Sequence, residues 1–192
     1  MPSRVPNPLI RWLAMGVGLA LWTASGEHLA SRPLACASGD CQNGRGRLVI
    51  HERLSYAGEF RDGLLHGEGE LRFADGSRYR GSFARDRFHG SGVLEFATGA
   101  QYAGEFESGR FHGAGAYSFA SGTRYEGEFQ AGRFHGIGRL EGSDGSLYEG
   151  GFRAGRKHGR GVLYLTDGVR REGLFSADRF TQPAMISSEA NP

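Results

Sequence analysis

The stretch Tyr79–Gln101, YRGSFARDRFHGSGVLEFATGAQ, is repeated in outline on both sides of itself. Tyr56, Tyr79, Tyr102, Tyr125 and Tyr148 stand 23 residues apart. Two residues after each comes a glycine (Gly58, Gly81, Gly104, Gly127, Gly150), and two further on a phenylalanine (Phe60, Phe83, Phe106, Phe129, Phe152). His-Gly-x-Gly follows at His66, His89, His112, His135 and His158, and each unit closes near Gly76, Gly99, Gly122, Gly145 or Gly168. No insertion or deletion interrupts the five copies. A fixed period of about 20–50 residues is the signature of a stacked repeat architecture.

Within one copy, apolar residues and glycines alternate with polar ones. Tyr79, Gly81 and Phe83 form one such run, and Gly90, Gly92, Leu94 and Phe96 the next. Alternation of this kind is the period of a half-buried strand, and two runs joined by a Gly-containing loop make an antiparallel hairpin. No stretch after residue 35 shows a helical period. The glycines have a packing reason: a Tyr or Phe ring leaning across a strand needs neighbours without side chains. Gly81, Gly90 and Gly92 are expected to supply that space beside Tyr79 and Phe83. One hairpin cannot bury its own aromatic row, but stacked hairpins can. The expected fold is all-β, an elongated single-layer antiparallel sheet of stacked β-hairpin repeats. At ~4.8 Å per strand, ten strands extend about 48 Å.

The pattern Tyr-x-Gly-x-aromatic, a mid-repeat Gly, then Gly-x-Gly and a strand ending near Asp-Gly resembles the MORN (membrane occupation and recognition nexus) repeat. The resemblance covers residues 44–175. Phe stands where many family copies have Trp, Asp86 replaces the glycine found at Gly63, Gly109, Gly132 and Gly155, and Gly142 replaces an apolar residue. Each departure is expected to weaken a single contact. The resemblance implies a non-enzymatic interaction or scaffolding module, or, as the family name suggests, a binder of anionic lipid headgroups. Where MORN repeats accompany lipid kinases or a methyltransferase, the chemistry lies in an attached catalytic domain.

Half-units flank the five full repeats. Gly44–Ile50 matches the second half of a copy and Glu172–Phe175 the first half, with Arg171 in the Tyr position. Degenerate terminal units are what capping of a stacked array requires. Upstream, Arg4 and Arg11 precede the apolar run Trp12–Ala24 and the small residues Ala24, Ser25 and Gly26. This reads as a signal peptide or signal anchor over 1–26, helical in its apolar part. Residues 27–43 read as a linker holding a cysteine pair, 44–175 as the array, and 176–192 as a disordered tail. Cys36 and Cys41, the only cysteines, are expected to pair as a disulfide in an exported chain and to remain free thiols in a reducing compartment. The expected location is periplasmic or extracellular, or the inner membrane if the signal is retained.

Glycine makes up 33 of the 192 residues, well above the usual ~7%; its periodicity makes the excess architectural. The net charge is +2. Residues 1–35 hold three basic side chains and one acid, which leaves 20 of each in the remainder. A neutral mature chain argues against nucleic-acid binding.

The histidine series is the obvious candidate for chemistry. Corresponding positions in neighbouring repeats lie two strands, or about 9.6 Å, apart, too far to share one ion easily. We assign these histidines a structural turn role and expect no metal, no cofactor and no catalytic residue. A second series is basic: Arg87, Arg110, Arg133, Arg156 and Arg179. Phe88, Phe111 and Phe134 follow the first three, and Lys157 follows the fourth. On loops along one sheet edge, Arg87, Phe88, Arg110, Phe111, Arg133, Phe134, Arg156 and Lys157 form the candidate surface for a lipid or protein partner. The alternative is a solvated row paired with acids such as Asp86 and Glu107. The five repeat tyrosines and Gly92 are the structural positions, and the end strands offer a route to self-association.

Overall fold

A computed structural model describes residues 36–50 and 54–184. The expected signal segment, 1–26, lies outside them, as does the end of the expected tail. The described residues are all-β and contain no helix. The first strands are β1 (Cys36–Gly39), β2 (Arg45–Ile50), β3 (Leu54–Arg61), β4 (Leu64–Phe73), β5 (Arg78–Ala84), β6 (Arg87–Glu95) and β7 (Gln101–Glu107). They are followed by β8 (Arg110–Ser118), β9 (Arg124–Gln130), β10 (Arg133–Glu141), β11 (Leu147–Arg153), β12 (Arg156–Tyr164), β13 (Arg170–Ser176) and β14 (Arg179–Pro183). On either side of Phe111/His112, sheet order is chain order and neighbouring strands run antiparallel. Two compact units divide at Phe111/His112.

The strands start and stop where two kinds of turn recur. Within each repeat the hairpin closes through two residues, both at positive φ: Arg85 and Asp86 at 48° and 63°, Ala131 and Gly132 at 50° and 79°. Two-residue connections of this hand match the twist of the flanking strands. Between repeats, as at Phe73–Ser77, the Gly76 amide donates to the Phe73 carbonyl (3.1 Å) and the Phe73 amide to the Ser77 carbonyl (2.9 Å). Gly76 sits at φ 91°, and the Asp75 carboxylate accepts the Ser77 amide at 2.8 Å.

In the unit ending at Phe111, Tyr79 is fully buried. Its ring stacks on Phe88 with centroids 3.6 Å apart and meets Phe83 and, from the next repeat, Phe106 edge-on at 5.0 and 5.1 Å. The unit beginning at His112 repeats the arrangement: Tyr125 stacks on Phe134 at 3.7 Å and meets Phe129 and Phe152 edge-on. Tyr56, Tyr79, Tyr125 and Tyr148 are thus each held by their own hairpin and by the Phe of the following one. Such aromatic pairs contribute about 0.5–1.5 kcal/mol each beyond their buried area. The glycine rationale holds at two of the three positions. A Cβ at Gly92 would stand 2.6 Å from Tyr79 Cε2, and one at Gly81 would stand 2.7 Å from the Tyr79 hydroxyl. Gly90 differs: it lies at φ 60°, and its missing Cβ faces Ser82 rather than the ring. It belongs to a bulge that shifts the register between Gly81 and Phe83.

The boundaries need two corrections. Part of the expected linker is strand β1, which pairs with β2. Part of the expected tail is strand β14, which pairs with β13 through Phe175↔Phe180. Both cover the last ladder of an array that otherwise ends on unpaired amides and carbonyls. Cys36 and Cys41 are joined in a disulfide that ties β1 to the loop after it. The Gln42 carbonyl there accepts the Gly63 amide at 3.0 Å, so the cap plays the part of a preceding repeat.

Asp86 also differs from expectation. Its amide donates to the Leu65 carbonyl (3.1 Å) and its carboxylate accepts the Leu65 amide (2.8 Å). Gly109 makes only the amide bond, to the Phe88 carbonyl at 2.9 Å. The replacement of glycine therefore adds an inter-repeat hydrogen bond instead of removing a contact. Asp178 makes the same pair of bonds to Lys157.

Candidate interaction surface

Arg87, Arg110, Arg133 and Arg156 each open a strand immediately after the two-residue turn. All four side chains are exposed. Among the described residues none of them forms an ion pair. Asp86 lies in the adjoining turn, but its carboxylate is held by the Leu65 amide. Burial pushes the Asp86 carboxyl above its ordinary range, with the Leu65 hydrogen bond opposing. Arg87 and Arg110 line the turn edge of the first unit, and Arg133, Arg156 and Arg179 that of the second. Positions two strands apart are spaced by about 10 Å.

The aromatic partners of these arginines are not on the surface. Phe88, Phe111 and Phe134 are 0–1% exposed, among the most buried side chains described. The residue after the turn arginine points to the opposite side of its strand and stacks on the repeat tyrosine. Sequence contained the signal: Phe88 precedes Leu94 by an even number of residues, in phase with the buried set, but its place beside the loop masked it. Lys157 takes the same inward position. Its Nζ lies 5.0 Å from the centroid of the Tyr148 ring, where the other repeats place Phe. Desolvation holds its ammonium below the usual lysine range, with Asp178 and Asp144 opposing. The candidate surface thus reduces to the arginines.

The histidines stand on strands, each followed by a glycine at positive φ: Gly67, Gly90, Gly113, Gly136 and Gly159. They stand beside this bulge rather than in the turn. Among the described residues no three His, Cys, Asp or Glu side chains gather as a metal site. The tyrosine hydroxyls are committed to the fold. Tyr79 donates to the Ser82 carbonyl at 2.8 Å and Tyr125 to the Glu128 carbonyl at 2.8 Å. Desolvation raises the phenols of Tyr56, Tyr79 and Tyr125, and pushes Tyr148 up to about 12. The sheet face away from the rings carries ion pairs, including Arg80–Glu70 at 2.7 Å and Arg139–Glu149 at 3.5 Å. Exposed pairs of this kind contribute little stability, a few tenths of a kcal/mol to about 1. An open depression of about 550 Å³ lies at the disulfide cap, lined by Cys36, Cys41, Gln42, Leu48 and Phe60 among others.

No curated protein sequence matches the chain. Among solved structures, the TCP domain of SAS-4 (dCPAP) from Drosophila melanogaster, in complex with a proline rich motif of Ana2 (dSTIL), is similar at 12% identity. The match covers 67% of this chain and 70% of that one, with a TM-score of 0.41. The profile of the MORN repeat matches five consecutive segments, residues 56–78, 79–101, 102–124, 125–147 and 148–170. These begin on the five tyrosines whose rings form the buried row, and the chain belongs to the MORN repeat family.

Proposed function

We propose that the chain is a non-enzymatic interaction module working at the cell envelope, whose arginine edges hold an anionic partner or surface. The observation behind this reading is the division of labour after the two-residue turns: Phe88 and Phe134 are consumed by the core, while Arg87 and Arg133 are exposed and free of ion pairs. Arginine recognises carboxylate or phosphate through paired hydrogen bonds. The envelope location rests on the apolar run Trp12–Ala24 behind Arg4 and Arg11. N-terminal sequencing of the protein recovered from its native cell tests it. A start after Ser25 or Gly26 supports export; a soluble product retaining Met1 removes that part.

The second reading is peripheral binding to anionic lipid. With the Phe residues inward, this binding lacks apolar insertion and is purely electrostatic. It should vanish in salt, since each Arg near an anionic surface contributes ~1 kcal/mol that screening removes. Vesicle flotation with and without phosphatidylserine separates the readings. Binding at low salt that is lost on replacing Arg87, Arg110, Arg133 and Arg156 by Gln supports the lipid surface. No flotation of the wild type at low salt leaves the protein-partner scaffold.

A further inference from the structure

The repeats differ at one position on the face away from the rings, three residues after each tyrosine. Glu59, Ser82, Glu105, Glu128 and Gly151 occupy it. In the repeat starting at Tyr125, Glu128 folds back over the bulge: its Oε1 accepts the amide of Ile137, the residue after the bulge glycine, at 3.0 Å. A Cβ added to Gly136 would run into that carboxylate. Glu59 covers Gly67 in the same way, and Ser82 covers Gly90 with Oγ 3.3 Å from the added Cβ. At Gly136 the bulge carries its own acceptor for the amide that follows.

The repeat starting at Tyr148 does not. Gly151 stands in place of the glutamate, with the His158 carbonyl against the point where its Cβ would lie, and a Cβ added to Gly159 meets nothing within 4 Å. The amide equivalent to that of Ile137 belongs to Arg160, and among the described residues no side chain accepts from it. Tyr148 and Phe152 are buried, so Gly151 and Arg153 lie on the opposite face. Arg153 pairs across the hairpin with Arg156. Arg160, two residues before the Glu149 partner Val162, shares that face. The three guanidinium groups are exposed and form no ion pair among the described residues. Placing Arg153 directly opposite Arg156 sets like charges together, a repulsion that an anion between them would relieve. Charge is also redistributed here: residues 148–184 hold seven basic side chains against four acids, whereas 125–147 hold two against four.

We propose that the bulge at Gly151, Gly159 and Arg160 is a docking site for an acidic side chain of an extended partner polypeptide. The partner's carboxylate lies over Gly159, as the Glu128 carboxylate lies over Gly136 one repeat earlier. The Arg160 amide and guanidinium donate to it, and Arg153 and Arg156 supply the surrounding charge. Ile137, 67% exposed and paired in register with Gly151, offers an apolar contact to a residue flanking the partner's acid. This inference goes beyond the arginine edges: those attract any anion, whereas the bulge adds a backbone amide to the guanidinium groups, and its outcome does not depend on vesicle binding.

Amide NMR of the chain, titrated in physiological salt with acetyl-Leu-Glu-Leu-amide, acetyl-Leu-Gln-Leu-amide and sodium acetate, tests the proposal. The glutamate peptide should shift the Arg160 amide saturably and bind at least about tenfold tighter than the glutamine peptide, the ratio expected for a charge-assisted hydrogen bond. Arg160→Gln, at an exposed position, should lose that difference. Glu128→Gly should open a second site, so that the Ile137 amide also responds; a dispersed spectrum verifies that each variant is folded. Three results would overturn the proposal: an unmoved Arg160 amide, equal binding of the two peptides, or acetate acting as strongly as the glutamate peptide. In the last case the bulge holds a free anion and not a partner chain.

Discussion

At the scale of the residue, the fold rests on a ring lying against a glycine and sandwiched by a second ring. Tyr79 covers Gly81 and Gly92 and is backed by Phe88. Phe88→Ala should therefore act as a core truncation, lowering stability by ~3–5 kcal/mol in denaturant titrations. Arg87→Gln, one residue away, should stay within ~0.5 kcal/mol. If the two variants melted alike, the inward placement of Phe88 would be wrong. Gly92→Val should cost ~1–3 kcal/mol by overpacking against the Tyr79 ring, which outweighs valine's gain in strand preference of up to ~1 kcal/mol. The tyrosine and Gly92 roles were legible in the sequence because strict alternation brings them onto one face. Phe88 was in phase with that face too, but its place beside the turn and its arginine masked it. Lys157 was hidden for the same reason, compounded by its charge. A lysine is expected at the surface, yet here its chain fills a Phe-shaped gap over Tyr148.

The hairpin is the unit at which local strain and local gain can be separated. Its two-residue turn demands positive φ at both positions, and Ala131 meets that demand at 50°. A left-handed conformation costs a residue with a Cβ roughly 1–2 kcal/mol, whereas Asn-Gly is the preferred pair for this turn. Ala131→Asn should thus raise the melting temperature, by the equivalent of ~0.5–1 kcal/mol, with the spectrum of the sheet unchanged. Asp86 offers the complementary case. Asp86→Asn retains an oxygen to accept the Leu65 amide and removes a charge that burial disfavours, so stability at neutral pH should rise. Since burial raises the Asp86 carboxyl, the wild type's deficit is present above that raised value and disappears as pH falls through it. The two proteins should then converge in acid; a difference that persisted or grew in acid would refute this account. The hairpins themselves were legible from period and turn glycines. The turn chemistry was not, because Arg85, Ser108, Ala131 and Ala154 at the first turn position advertise nothing about positive φ.

Across the whole molecule the repeats share one solution, and this is why the array was readable from five identical intervals while its ends were not. β1 and β14 carry no repeat pattern; they are strands because an edge ladder is available to them, a tertiary cause that periodicity does not report. The shared solution also gives the molecule a common point of failure in alkali. Desolvation raises the phenols of Tyr56, Tyr79, Tyr125 and Tyr148 above their ordinary value near 10. A folded-state value above the unfolded one means that the native protein holds the proton longer. The stabilisation is intact below about pH 10 and is lost as pH rises toward the folded values. Lys157 works in the opposite sense, since its burden is relieved as pH approaches its unfolded value, but it is one group against four. In a stacked array each repeat is stabilised through its neighbours, and Tyr56, Tyr79, Tyr125 and Tyr148 are each touched by the next repeat's Phe. Ionisation should therefore not proceed ring by ring. The melting temperature should hold up to about pH 9 and fall steeply beyond about 10. Tyrosinate absorbance should rise together with loss of the β-sheet signal. Reversible ionisation of all the repeat tyrosines near their ordinary value, with the sheet intact, would show that the rings are not the shared core.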